Sequence, residues 1–219
     1  LMLPYGLGQD VKFKKDFGPQ LGLLNIEKIS KISEKDFLNK LDPVYKSIEG
    51  VSNSNLLENK NLIGFTGAPW TLLVYMINKN SPKKELIKNF FEDKSLIEET
   101  LLVLKKFLKL HINHQIKNGA SVIQIFDSWA GLVEEKNLPD YIYGPTLEIV
   151  NYVKSLKVPV ICFPREIKDY KKYCEIVKPD AVSIDYKVDP ISISNNIKIP
   201  IQGGLDPKIL LTNIENLKK

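Results

Sequence analysis

The sequence predicts an α/β fold of parallel strands joined by helices, and it favours the barrel form of that fold over an open sheet. Short apolar segments alternate with longer amphipathic segments along the 219-residue chain, which is the order that gives parallel strands and right-handed helical crossovers. The strand segments are apolar throughout, as burial on both faces of a parallel sheet requires. No GxGxxG or GxxxxGK motif follows any strand, so the usual nucleotide-binding reasons for an open sheet are missing.

The first sixty residues are predicted to contain one helix between irregular segments. Glycines and prolines are dense within residues 1–24, which argues for loop. Residues 33–48 carry apolar side chains at helical spacing, and Ser33 is a suitable N-cap, so this segment predicts a helix. The polar, asparagine-rich residues 50–61 indicate a surface connection.

The remainder of the chain predicts a repeating order of strand and helix. The strand segments are NLIGFTG, SVIQIFDSW, VPVICFPR, AVSIDY and IPIQGG, each ending near glycine or a charged residue. Helical spacing predicts helices over residues 72–77, 83–91, 95–118, 141–156 and 167–177. Polar or unusual residues follow each strand, and in a (β/α) barrel those positions face the carboxyl-terminal mouth, where active sites are built.

Composition and charge narrow the class of protein. The formal net charge is +5, but lysines alternate with glutamates, which argues against nucleic-acid binding and is compatible with a small anionic substrate. The chain has no apolar run long enough to span a membrane and does not open like a secretion signal, so we expect a cytoplasmic protein without a membrane partner. Cys162 and Cys174 lack CxxC spacing and are expected to be reduced thiols.

Two histidines raise the possibility of a metal site. His111 and His114 lie three residues apart on one predicted helix, so they share a face. Neither a cysteine nor a carboxylate stands at ligand spacing beside them. We therefore expect a solvated helix face and no metal.

The charged residues that follow the strands are expected to be mainly structural. Asp127 and Asp185 follow two strands, and a buried carboxylate needs a partner, so pairing with Arg165 is preferred to catalysis. Gly203 and Gly204 predict a turn, with Asp206 capping a helix that starts at the following proline.

Three segments together resemble the uroporphyrinogen decarboxylase family. They are GFTGAPWTLLVYM from residue 64, IQIFDSWAG from residue 123, and IQGGLDP from residue 201, in the order and spacing of that family. The opening LPYGLGQDVKF is similar to the loop after the family's second barrel strand. Two positions depart from the family: Gly204 stands where asparagine is common, and Glu166 stands where glycine is common.

The resemblance implies a single (β/α)8 TIM-barrel domain, of which residues 1–219 would hold about five of eight strands and be truncated at both ends. It also implies a homodimer. In this family, the acetate side chains of uroporphyrinogen lose their carboxyl groups to give coproporphyrinogen, without a metal or an organic cofactor. The family's aspartate, its amino-terminal arginines and its late histidine would then lie outside this sequence, and the fragment alone would be inactive.

Substrate-binding residues also follow from the resemblance. Tyr75 and Ser128 match a family tyrosine and serine, and their hydroxyls suit a substrate carboxylate. Gly67, Phe126 and Arg165 would line the cleft. The residues themselves leave other roles open: Tyr75 as a core residue, Ser128 as a helix cap, and Gly67 and Phe126 as packing residues.

Two other functions remain open. A zinc-dependent corrinoid methyltransferase of the same fold would need a histidine and cysteine pair near a strand end, and no HxC occurs here. A catalytically inactive tetrapyrrole-binding barrel fragment is the other alternative, because five strands cannot close an eight-stranded barrel.

Overall fold

The centre of the structure is a five-stranded parallel sheet. The computed structural model describes residues 1–15, 18–82 and 85–212. The strands of the sheet are β3 (Ile63–Gly67), β4 (Val122–Asp127), β5 (Val160–Pro164), β6 (Ala181–Ile184) and β7 (Ile201–Gly203). All five predicted strands are therefore confirmed, each within its predicted segment.

The order of the strands distinguishes a barrel from an open sheet. Each strand pairs in parallel with the next strand along the chain, in the order β3-β4-β5-β6-β7. An open doubly wound sheet reverses its strand order at a switch point, and no reversal occurs within the described residues. The sheet is thus a continuous part of a (β/α) barrel wall, which confirms the predicted fold class.

The helices cover one face of this sheet. They are α4 (Pro69–Asn78), α5 (Lys94–Lys117), α6 (Gly144–Ser155), α7 (Tyr170–Val177) and α8 (Pro190–Ser194). Ile123 and Ile125 of β4 are buried on that face, and Val160 and Cys162 of β5 are buried likewise. On the opposite face, Phe126 and Phe163 are half-buried, whereas Gln124 and Ser183 are buried. Burial on both faces is therefore confirmed only in part, because the helices enclose one face and several side chains of the other face are accessible.

The first residues are more regular than their glycine content predicts. A short helix, α1 (Met2–Gly6), is followed by antiparallel strands β1 (Val11–Lys14) and β2 (Gly18–Leu21). The side-chain amide of Gln9 donates hydrogen bonds to the carbonyls of Gly22 (2.9 Å) and Met76 (3.0 Å), so tertiary contacts hold this segment against α4. The prediction of loop over residues 1–24 is wrong for these elements.

The next two helices lie against the helical layer. After α2 (Ile26–Ser30), helix α3 (Glu34–Ser52) begins where the sequence predicts, with the Ser33 hydroxyl accepting a hydrogen bond from the Asp36 backbone amide at 3.0 Å. Helix α3 runs four residues beyond the predicted end, so only the later part of residues 50–61 is a connection.

The helix predicted over residues 83–91 is wrong where it can be compared. Residues 83 and 84 lie outside the described residues, and residues 85–91 form bends and turns. Aromatic packing holds this segment: the Trp70 ring lies 5.3 Å from the Phe90 ring and 6.1 Å from the Phe91 ring. The other predicted helices are confirmed within a few residues, although α6 is preceded by a π-helical turn, Pro139–Tyr143.

The two histidines do not form a solvated face. His111 is 4% exposed, and its Nδ1 shares a 3.0 Å hydrogen bond with the Tyr45 hydroxyl of α3. Burial lowers the pKa of His111 to about 4, so the ring is neutral at physiological pH. The expectation of a solvated helix face is therefore wrong for His111. Among the described residues, no three or more histidine, cysteine or acidic side chains are grouped to hold a metal.

The turn after β7 is as predicted. Gly203 and Gly204 have φ of +94° and +99°, which favours glycine, and the Asp206 carboxylate accepts a 2.9 Å hydrogen bond from the Lys208 amide to cap the 3-10 helix Pro207–Leu211. No helix within the described ranges is long and apolar enough to cross a membrane.

Candidate functional site

A row of phenylalanines crosses the open face of the sheet. The Phe65 and Phe126 rings meet edge to face with centroids 6.1 Å apart, and the Phe126 and Phe163 rings repeat this arrangement at 6.1 Å. Phe65 is 64% exposed, and Phe126 and Phe163 are half-buried, so each ring of the row is at least partly accessible. Gly67 is the register partner of Phe126 and packs closely against Leu72 of α4. These rings offer an apolar surface that suits a flat ring system.

A polar network borders the aromatic row. The Gln124 amide nitrogen donates to the Ser183 hydroxyl and to the Gln202 amide oxygen, both at 3.1 Å, and the Ser183 hydroxyl donates to the same Gln202 oxygen at 2.6 Å. Both bonds to Gln202 are accepted by its oxygen, so its exposed amide nitrogen is left to donate to a ligand. The network joins strands β4, β6 and β7 across the open face.

Helix α4 holds the segment that follows β4. The Trp70 indole nitrogen donates to the Trp129 carbonyl at 2.9 Å, and the Trp129 amide donates to the Thr71 hydroxyl at 3.3 Å. Both backbone polar groups of Trp129 are thereby satisfied by consecutive residues of α4. The GAPWT segment folds into this arrangement because Pro69 starts the helix directly after β3.

This contact brings Tyr75 to the segment that contains Ser128. The Tyr75 ring, one turn beyond Thr71, packs edge to face against the Trp129 ring at 6.0 Å. Ser128 immediately precedes Trp129, and neither the Ser128 nor the Tyr75 hydroxyl hydrogen-bonds to another described residue. The 3-10 helix Ala130–Leu132 that follows has no side-chain cap, so Ser128 does not cap it.

Arg165 lies beside the same segment but does not pair as predicted. Its amide donates to the Asp127 carbonyl and its carbonyl accepts from the Gly131 amide, both at 3.1 Å. Its guanidinium lies 3.6 Å from the Glu166 carboxylate and is partly exposed. Asp185 instead accepts from the amides of Glu166 at 3.2 Å and Lys187 at 3.0 Å. The predicted ion pairs between Arg165 and the two aspartates are therefore wrong.

Asp127 is more deeply buried than Asp185, the other carboxyl that follows a strand here. It is 1% exposed, its Oδ1 accepts a 2.7 Å hydrogen bond from the Thr71 hydroxyl, and its Oδ2 has no partner among the described residues. Burial raises the pKa of Asp127 to about 7, against the opposing effect of the Thr71 hydrogen bond. Its neighbours are as deeply buried, and burial raises the pKa of the Cys162 thiol to about 12.

The sequence analysis missed several residues of this face. They share one property, which is that their side chains point to the same side of the sheet as Phe126: Phe65, Phe163, Gln124 and Ser183. The alternation of side chains along a strand could have identified Gln124, two residues before Phe126. The cross-strand register that aligns the phenylalanines is set by tertiary structure.

Comparisons with known proteins agree on one family. The model of the family described as uroporphyrinogen decarboxylase matches residues 1–219. A uroporphyrinogen decarboxylase of Rickettsia bellii is 35% identical over 226 residues, covering 100% of this chain and 66% of the relative. One of Rickettsia felis is 34% identical over 225 residues, covering 100% of this chain and 65% of the relative. The chain thus spans just under two thirds of these relatives' length.

A solved structure shares the fold. A methyltransferase from Methanosarcina mazei matches with a TM-score of 0.64 and 16% sequence identity, over 99% of this chain and 75% of that protein. At this identity the likeness concerns the fold alone, and it agrees with the barrel order of the strands.

Proposed function

Since the chain belongs to the uroporphyrinogen decarboxylase family, we propose that the protein removes the acetate carboxyl groups of uroporphyrinogen to give coproporphyrinogen. The observation that carries the proposal is the family match, which extends over all 219 residues. The open face of the sheet supports it, because an anionic tetrapyrrole needs both an apolar surface for its pyrrole rings and hydrogen-bond donors for its carboxylates.

The binding residues that we propose divide into two groups. Phe126, with Gly67 beside it, would face the macrocycle, since an aromatic ring packs well against a pyrrole and a glycine admits close approach. Tyr75 and Ser128 would donate hydrogen bonds to substrate carboxylates, because their hydroxyls have no hydrogen-bond partner among the described residues. Arg165, whose guanidinium is partly exposed, would contribute positive charge.

The chemistry requires a place for the electron pair that the departing carbon dioxide leaves behind. A proton added to a pyrrole carbon makes that ring electron-poor, so the pair from the broken carbon–carbon bond can move into the ring. The resulting exocyclic methylene then takes up a proton to become a methyl group, and the ring loses its extra proton. In this scheme the described residues bind and orient the carboxylates, and they hold the macrocycle against the aromatic face.

Family membership supports three further proposals. We infer that residues 1–219 belong to one barrel domain, that the protein forms a homodimer, and that it works in the cytoplasm. The anionic substrate is compatible with the formal charge of +5.

Activity is tested by expressing the 219-residue chain and its complete reading frame. Each is given uroporphyrinogen anaerobically, and chromatography of the oxidised porphyrins follows the loss of carboxyl groups. Activity of the complete protein is the expected result. A folded complete protein without activity would contradict the proposal and favour a tetrapyrrole-binding protein without turnover.

Tyr75→Phe and Ser128→Ala test the binding residues. Each removes one hydrogen bond to a charged group, so we expect kcat/KM to fall about 10- to 100-fold. Tyr152→Phe on α6, outside the site, is the matched control and should retain full activity. Equal activity of Tyr75→Phe and Tyr152→Phe would exclude Tyr75 from binding.

A further inference from the structure

The Thr71 hydroxyl joins the two elements that carry the candidate substrate-binding residues. It donates to Asp127 Oδ1 at the end of β4 (2.7 Å) and accepts from the Trp129 amide (3.3 Å). A hydroxyl has a single proton, and this one is given to Asp127. The oxygen lone pairs are thereby directed to the Trp129 amide, so Asp127 determines how Thr71 binds Trp129.

Trp129 is held at three points, all of them on α4. Trp70 binds its carbonyl, Thr71 binds its amide, and the ring of Tyr75 packs against its indole. Because Ser128 is bonded directly to Trp129, this arrangement also limits where the Ser128 hydroxyl can lie. The positions of the Ser128 and Tyr75 hydroxyls, which we propose to bind substrate, therefore both depend on Trp129.

Asp127 is not placed to touch the substrate itself. It occupies the same side of β4 as Ile123 and Ile125, which is the buried side, whereas Phe126 lies on the open side. The titratable groups facing it are the Cys162 thiol of β5 and the Tyr173 hydroxyl of α7, with the neutral Thr71 of α4 as its hydrogen-bond donor. A carboxyl buried among such groups acts through its neighbours.

We propose that Asp127 and Thr71 are positioning residues, which fix Trp129 and thereby align Ser128 and Tyr75 for binding substrate carboxylates. This inference rests on the proposed function. It adds two residues that do not contact the substrate, and it gives a role to the buried Asp127 carboxyl, whose Oδ1 accepts the Thr71 hydrogen bond.

The test uses the complete protein and pairs each disruptive variant with a conservative one. Thr71→Val and Asp127→Leu remove the hydrogen bonds, whereas Thr71→Ser and Asp127→Asn retain them. We expect the disruptive variants to raise KM about tenfold or more with a smaller effect on kcat, and the conservative variants to stay within about threefold of wild type. Thr100→Val is the matched control, because Thr100 is buried on α5 outside the site and its hydroxyl has no partner in the described part of the chain.

A second readout does not depend on turnover. Trp129 fluorescence, identified by difference from Trp129→Phe, should become more accessible to acrylamide in Thr71→Val and not in Thr71→Ser. If the wild type is inactive, the proposed function fails, and this quenching still decides whether Thr71 holds Trp129. If Thr71→Val does not fold, Trp70→Phe replaces it, since it loosens the same residue by removing the 2.9 Å bond to the Trp129 carbonyl.

The contrary results are equally specific. A KM for folded Thr71→Val or Trp70→Phe that equals the KM of Thr100→Val would overturn the proposal. So would unchanged acrylamide quenching of Trp129 in those variants.

Discussion

At the scale of single residues, Glu166 adopts a backbone conformation that is unfavourable for a residue with a side chain. Its φ is +60°, in the left-handed region that disfavours a Cβ atom, and its Cβ faces Gly131 closely enough that a side chain there would clash. Its amide is held by Asp185 and its exposed carboxylate lies 3.6 Å from Arg165 and Lys187. Glycine, which the resemblance indicates at this position, would adopt the same backbone without that strain.

Glu166→Gly is therefore expected to raise the free energy of unfolding by about 0.5–1 kcal/mol. The lost ion pairs are exposed and contribute little. Thermal and urea denaturation measure the change. Glu166→Ala is the matched control, since it removes the same ion pairs and keeps the Cβ atom. A glycine variant no more stable than the alanine variant would show that the left-handed backbone costs nothing here.

The position of Asp127 could be predicted from the sequence, but its hydrogen-bond partner could not. Its position after a strand is evident from the sequence, and so is the need of a buried carboxyl for a partner. The partner is not evident, because it depends on which face of β4 the side chain occupies. The structure places Asp127 toward α4, so Thr71 rather than Arg165 is the partner.

At the scale of elements, the sequence predicted those helices and strands whose own residues carry a clear hydrophobic pattern. Helix α5 follows from hydrophobic spacing, the five strands follow from short apolar segments, and α3 begins at the capping residue that the sequence indicates. The failures are short segments held by distant contacts. The Gln9 side chain binds the Met76 carbonyl of α4, and Trp70 packs against Phe90 in the turns that follow α4. Neither contact produces a recognisable pattern in the local sequence.

A hydrogen bond between Tyr45 and His111 joins α3 to α5, and the burial of the His111 ring makes stability depend on pH. His111 has a pKa of about 4 in the folded protein, because burial disfavours the charged ring, against about 6.5 in an unfolded chain. Between these values the unfolded state binds more protons, so the free energy of unfolding falls as the pH falls from about 6.5 toward 4. His111→Gln should lose this contribution.

Urea denaturation at several pH values between about 4 and 6.5 measures the effect, with a contribution of up to about 1.4 kcal/mol per pH unit. His114→Gln is the comparison, because His114 is less buried and should contribute less. An unchanged slope in His111→Gln would mean that the buried ring does not control this dependence.

At the scale of the whole molecule, β3 is one of the two edge strands of the parallel sheet. Within the described residues no strand pairs with this edge, and an apolar groove lies beside it, lined by Leu1, Val44 and Ile48. Gln115 of α5 occupies the edge: its amide oxygen accepts from the Phe65 amide at 3.0 Å, and its nitrogen donates to the Phe65 carbonyl at 3.2 Å. The side chain thus supplies the two hydrogen bonds that a neighbouring strand would make.

Unpaired strand edges promote association between chains, so Gln115 should limit self-association of the 219-residue chain expressed by itself. In the wild type, an incoming strand must first break the two hydrogen bonds between the Gln115 side chain and the Phe65 backbone. Gln115→Ala removes both bonds, each with a net value of about 0.5–1.5 kcal/mol. We therefore expect the dimer dissociation constant to fall about tenfold, measured by sedimentation velocity over a concentration series. Lys117→Ala, an exposed change on the same helix, is the control and should sediment like the wild type. If Gln115→Ala also does so, then chain association does not use the β3 edge, and the exposed phenylalanine row is the next surface to vary.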